Sequence, residues 1–220
     1  MIFEAEEDLA MILPIPVKVG TGDGGIQFVN LEGYPEIFRD LEKGFPASDP
    51  FGRSAGSVEA KYAPQQLKVE SVGRFEASFV PTMADFDRLD ARFRIEKEIW
   101  ARIPAYGAYG FAVFRLKAGE KRQNVHPMAF SFPTADPSRI FFPTVHIHDG
   151  TVHQKEVFDH SLYCQTASSE VKMTWRESTG HARQFASTDR SRGTIRPDEH
   201  VYKTSLFGKL DNTDTWIRAV

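Results

Sequence analysis

Apolar residues in this chain fall mostly in short alternating or continuous runs, and only a few stretches repeat at helical spacing. A period of two marks a half-buried strand, and apolar positions three and four apart mark a helix. Residues 9–19, LAMILPIPVKV, are the first β-prone run; Pro14 and Pro16 each remove a ladder donor, which predicts an edge strand or a bulge. Residues 26–31, IQFVNL, predict a second strand. Residues 66–80 predict one or two more, with Gly73 at a turn or bulge. Residues 110–116, GFAVFRL, are almost wholly apolar, the pattern of a strand buried on both faces. Further short strands are expected over 128–132, 139–148, 158–164, 171–175, 202–207 and 215–220.

Helical spacing is confined to two places. Residues 35–43, PEIFRDLEK, predict a short helix opened by Pro35 and closed by Gly44, with Ile37, Phe38 and Leu41 as its apolar stripe. Thr82 and Asp85 stand at capping-box spacing before Phe86, Leu89 and Phe93, so a helix is expected from Thr82. A further turn or two over 95–103, carrying Trp100, stops at Pro104. The expectation is an α+β fold: strand-rich, mainly antiparallel sheet, with a short N-terminal helix and a central helical segment. Its 220 residues are read as one domain, 1–220, with a long irregular loop near 45–66 and a polar segment near 186–197.

The run FFPTVHIHDGTVHQKEVF, residues 141–158, adds candidate chemistry to the pattern. Asp149-Gly150 is a preferred pair for a two-residue type I′ turn, because both central positions need positive φ. That turn would set His146 opposite His153 and Val145 opposite Gln154. His146, His148 and His153 would then share one polar face, while Val145, Ile147, Val152 and Phe158 would face the core. Imidazole nitrogens bind zinc at roughly 2.0–2.1 Å, so three such side chains can converge on one zinc or iron ion. His126 becomes an additional ligand if its strand borders the hairpin. Lys155 falls on the same face and opposes a cation there, and Glu156 faces away, which makes it a poor general base. The spacing also resembles the first metal motif of cupins, with His153 where a Glu is usual and without that motif's flanking glycines.

Composition narrows the rest. Apolar residues make up 41% of the chain and Phe alone accounts for 18 positions, enough for a core dominated by aromatic packing. A net charge of −3 argues against broad binding to nucleic acid. No apolar run approaches the ~20 residues of a membrane span. The single Cys164 cannot form an internal disulfide, and the acidic start MIFEAEED is unlike a signal peptide. Both features point to the cytoplasm. Arg190 and Arg192 lie together in the polar segment as a candidate anion or carboxylate clamp.

Three other patterns lack their required context. GTGDGG at 20–25 precedes a strand and not the helix that pyrophosphate binding needs, so a hairpin loop is expected there. GRSAG, with Ser54, has no strand before it and no helix after it, as a nucleophile elbow demands. His160 and Cys164 pair as imidazole and thiol only on a helix, and their surroundings are β-prone. His181 and His200 read as surface residues in polar segments.

The passages AMILPIPV, GRFEASFVPTMADFDRL, YGFAVFRLK and HPMAFSFPTADPSRIFFPTVHI, spanning about residues 10–147, resemble an uncharacterised bacterial protein family of unknown function. The resemblance implies envelope association and brings no reaction. Two functions remain from different classes. One is a non-catalytic binding or structural module that presents a β-rich surface to a protein partner. The other is a metal-binding protein or metal-dependent enzyme built on His146, His148 and His153.

Overall fold

A computed structural model describes residues 2–3, 10–46, 69–90, 106–116, 123–124, 126–145 and 152–219, and every structural statement below concerns these. The fold is strand-rich and mainly antiparallel with a few short helices, an α+β architecture. The chain forms two compact units, each assembled from separated segments. Of the described residues, the first unit takes those up to 32, 69–136 and 152; the second takes 33–46, 137–145 and 153–219.

The first unit is built on a four-stranded antiparallel sheet. Its strands are β2 (Ala10–Ile15), β4 (Val69–Val72), β5 (Phe75–Val80) and β6 (Gly110–Leu116), in the order β2-β6-β5-β4. Pro14 lies in β2, which is an edge strand, where a missing N–H costs no ladder bond. Phe111, Ala112, Val113 and Phe114 of β6 are all buried, so the continuous apolar run does lie in the middle of the sheet. A separate pair, β3 (Gln27–Asn30) with β8 (Met128–Ser131), supplies Phe28 and Phe130. Both rings pack on Phe114, at 5.4 and 5.8 Å between centroids, and Phe75 joins from β5 at 6.3 Å. The opposite face of β6 takes Phe86, whose ring is 4.8 Å from Phe111. A minor pairing joins β1 (Ile2–Phe3) to β7 (Gln123–Asn124).

Two sequence expectations change here. The segment after Thr82 is a six-residue 3-10 helix, Met83–Arg88, and not an α-helix. The Thr82 hydroxyl donates to the Asp85 carboxylate, and Arg88 holds that same carboxylate, so the turn closes on side chains and does not lengthen. Phe86 and Leu89 are buried as the spacing predicts; Phe93, Trp100 and the 95–103 turn lie outside the described residues. The Gly20–Gly25 stretch is no hairpin loop, because β2 pairs with β6 while β3 pairs with β8.

The second unit carries α1 (Ile37–Lys43), β9 (Arg139–Phe142), β10 (Lys155–Cys164), α2 (Ser169–Thr174), β11 (Arg176–His181), β12 (His200–Asp211) and β13 (Thr215–Arg218). Its three-stranded sheet runs β10-β12-β11, and β13 pairs with β9. All these pairings are antiparallel. Residues 171–175, expected as a strand, fall in and just after α2. Ser168 caps that helix, its hydroxyl accepting the Val171 N–H at 3.4 Å, and Glu170 sits favourably in the first turn. The cap overrides the β-preference of the local apolar residues. In α1, Ile37 and Leu41 are buried, while Phe38 is exposed beside Tyr163.

Candidate functional site

The described residues on either side of the histidine run belong to two separate antiparallel pairings, β9 with β13 and β10 with β12. Phe142 pairs with Thr215 and Lys155 with Asp211, so twelve residues on one side answer three on the other. The described arms of the expected hairpin therefore pair with β13 and β12, and Val145 does not pair with Gln154. The reason is the turn at residues 212–214. The Val145 and Thr144 N–H groups both donate to Oδ1 of Asp214, at 3.2 and 3.0 Å. Asn212 donates its N–H to the Gln154 carbonyl at 2.9 Å and its side-chain amide to the His153 carbonyl at 3.1 Å. The buried Thr144 hydroxyl donates to the Thr213 carbonyl at 2.8 Å and lies 3.0 Å from the Thr215 hydroxyl. One short turn thus bonds the described residues at both ends of the run, the accounting that buried backbone polar groups require.

His153 is exposed at one stem. His146, His148 and the Asp149-Gly150 pair lie outside the described residues, as do Ser54 and residues 47–66. Among the described residues, no three His, Cys, Asp or Glu side chains gather as a metal site. His126 belongs to the first unit and is only 4% exposed. Its Nε2 accepts the Arg74 N–H at 3.1 Å, and its Nδ1 lies 2.9 Å from the Pro127 carbonyl. A carbonyl can only accept, so Nδ1 carries the proton and both ring nitrogens are committed. The ring also stands edge-on to Phe75 at 4.9 Å. This histidine fastens the β4–β5 turn, where Gly73 has φ +59°.

The polar segment 186–197 is a series of hydrogen-bonded turns. Arg190 donates to the Gly33 carbonyl at 2.6 and 2.9 Å, pairs with Glu36 at 3.1 Å, and lies over the Tyr34 ring at 4.8 Å. Arg192 is exposed with φ 51° and makes no hydrogen bond or ion pair among the described residues. The two arginines are thus neighbours in sequence with separate duties, one already bound and one facing solvent.

The turns close one wall of an open cavity of about 330 Å³ in the second unit. Leu41, Ile195 and Val201 supply apolar lining, while Gln165, Thr194 and Arg196 supply polar groups. Arg196 is held by the Gln165 carbonyl and, at 2.9 Å, by Glu199. Cys164 lines the same cavity, and burial pushes its thiol up to about 12. A thiol in that state is a small hydrophobe and not a nucleophile at neutral pH. Cys164 and His160 lie four residues apart on one strand, about 13 Å at the usual strand rise, too far to share a proton.

Beside the cavity, Tyr163, Lys203 and Arg176 stand in a row across the three strands. Glu42 of α1 accepts from Lys203 Nζ at 2.6 and 2.7 Å and from the Tyr163 hydroxyl. Burial alone would raise the Glu42 carboxyl; the bonds from Lys203 and Tyr163 outweigh it and hold it below its ordinary value.

Compared with family profiles, curated proteins and solved structures, the chain matches none. Among the described residues, the outer face of the β10–β12 ribbon brings two large exposed apolar side chains together. Lys155, Val157, Asp159 and Ser161 alternate along β10, opposite Asp211, Lys209, Phe207 and Ser205 of β12. The inner face buries Phe158 and Leu162. On the outer face Phe207 is 80% exposed and its diagonal neighbour Val157 is 69% exposed. Lys155 and Asp211 pair at 2.7 Å at one end. Sequence reasoning missed this patch because exposure follows from register, and the register follows from the turn at 212–214.

Proposed function

We propose that this chain is a non-catalytic binding module that presents the outer face of the β10–β12 ribbon to a partner protein. The observation that carries the reading is Phe207 beside Val157, both exposed at the centre of a face rimmed by Lys155, Lys209, Asp159 and Asp211. An exposed aromatic residue inside a polar rim is the pattern of an interface core, and Val157 adds apolar area beside it. Charges of both signs on the rim fit a partner with mixed charge, in keeping with the near-neutral chain. The buried inner face and the bonded ends of the ribbon supply a rigid platform, which lowers the ordering cost of binding.

The test is selection of peptides or small binding domains against the intact chain, followed by hydrogen-exchange mapping of the selected binders. Binders that protect 155–163 and 203–211 support the reading. Binders that protect other surfaces, with the ribbon unprotected, contradict it.

A second reading rests on the turn at 212–214, which brings the stems at Val145 and His153 to opposite ends of three residues. On this proposal His146, His148 and His153 would hold a divalent metal ion such as zinc or iron. Elemental analysis of the tag-free protein beside a His146→Ala/His148→Ala variant tests it. Stoichiometric metal lost in the variant supports the site; substoichiometric metal, unchanged in the variant, rejects it.

A further inference from the structure

A different pair of histidines meets across strands β11 and β12. His181 ends β11 and His200 opens β12, and the two are direct partners across the strands. The register shifts between Glu177 and His181, and an irregularity of this kind re-aims the side chains that follow it. Their ring centroids are 4.8 Å apart with the planes at 78°, an edge-on contact. With metal–nitrogen bonds of about 2.0–2.1 Å, each imidazole centroid lies about 3.2 Å from a bound ion. Two such rings at bond angles between square and tetrahedral then stand about 4.5–5.2 Å apart. The observed spacing falls inside that window.

The hydrogen bonding agrees. His200 Nδ1 lies 3.0 Å from the Ser178 carbonyl, which can only accept, so Nδ1 carries the proton and Nε2 keeps its lone pair. A ring N–H given to a backbone carbonyl is the arrangement that orients metal-binding histidines. Ser178 is itself fixed: its hydroxyl donates to the Gly180 carbonyl at 2.7 Å and accepts the Val201 N–H at 3.0 Å. The His181 side chain makes no hydrogen bond among the described residues, and both histidines are half-buried. The nearest arginines in sequence, Arg183 and Arg196, are paired with Asp198 and Glu199, which reduces the repulsion a cation would meet.

We infer that His181 and His200 form a two-imidazole site for a divalent transition-metal ion of the Cu²⁺ or Zn²⁺ class, with water completing its coordination. Imidazole suits both ions, and Cu²⁺ binds more tightly by the usual order of stabilities. No third protein ligand gathers among the described residues, so the ion is exchangeable and not a structural staple.

The test uses the full chain in a His146→Ala/His148→Ala background, so that the other histidine run contributes nothing. Cu²⁺ and Zn²⁺ are titrated calorimetrically into this protein and into the same protein carrying His181→Phe. Phenylalanine keeps the ring packing against His200 and removes the ligand, so a purely structural pair predicts no difference. Loss of one binding equivalent, or at least a tenfold weaker affinity, with an unchanged melting temperature is expected. In parallel, Zn²⁺ should shift the ¹⁵N resonances of both rings in the natural sequence, a readout that needs no variant. Metal binding unaltered by His181→Phe, absence of binding in the background protein, or ring resonances that do not move on adding Zn²⁺ would each overturn the inference.

Discussion

Replacing Tyr34 by Phe removes one oxygen from the interior of the second unit and breaks two bonds. The Tyr34 side chain is fully buried. Its hydroxyl donates to Oδ2 of Asp40 at 2.9 Å and accepts the Ser187 N–H at 2.8 Å. Phenylalanine keeps the ring, its burial and the Arg190 guanidinium above it, so packing is nearly preserved. What goes is a hydrogen bond to a charged group, worth about 1.5–3 kcal/mol, and an acceptor for a backbone N–H, whose loss costs about 1–3 kcal/mol. Asp40 keeps Lys43 at 2.6 Å, which limits the first figure. The expected loss is about 2–4 kcal/mol.

Urea unfolding of the intact chain at neutral pH measures that loss. Exchange of the Ser187 amide should accelerate along with it, since this N–H loses its acceptor. Asp40 adds a pH signature. Burial alone would raise its carboxyl, but the bonds from Lys43 and Tyr34 hold it below its ordinary value. A depressed carboxylate stabilises the fold above its unfolded pKa, about 4, and that stability is lost as pH falls through the folded value. The difference between Tyr34→Phe and the natural protein should therefore narrow below about pH 4. A loss under about 0.5 kcal/mol at neutral pH, or a loss that leaves Ser187 exchange unchanged, refutes the reasoning.

Other perturbations test other parts of the molecule. Gly73→Ala should destabilise the first unit by about 2 kcal/mol or more in thermal unfolding: φ is +59°, and an added Cβ would clash with His126 Nε2. Glu42→Gln should flatten the acid limb of the stability–pH curve. The Glu42 carboxyl is held down by Lys203 and Tyr163, so its contribution is full above the ordinary carboxylate range and fades at lower pH. Cys164 should react with a thiol reagent at pH 8 at least a hundredfold more slowly in the folded chain than in urea, because its thiol is raised from 9.0 to about 12. Comparable rates in the two states would contradict the burial argument.

Much of the strand content was legible in the pattern of apolar positions, and the partners of those strands were not. The buried run of β6, the edge proline of β2 and the turn at Gly73 each follow from local physics: side-chain alternation, a missing N–H, a positive φ. Residues 141–158 show the limit. Asp149-Gly150 suggests a self-contained hairpin, yet the described arms pair with residues 202–218, because Asn212 and Asp214 satisfy their stems from a distant part of the chain. Alternation predicts which residues share a face and not which strand lies opposite. The helix at 169–174 rests on the Ser168 cap and on Glu170, which the alternation of the residues after them conceals. Arg190 and Arg192 look alike in sequence, and only tertiary contacts separate the bonded one from the exposed one. His181 and His200 meet through strand register, which no local spacing reveals. The two units interleave along the chain, so no shift in composition marks a boundary between them.

The affinity of a ribbon-protecting binder for the natural chain and for Phe207→Ser tests the proposed protein-binding face on the β10–β12 ribbon. Burying a phenylalanine contributes about 1.5–3 kcal/mol, so a loss of roughly 10- to 150-fold with unchanged thermal stability is expected. An affinity that stays within about twofold would contradict it.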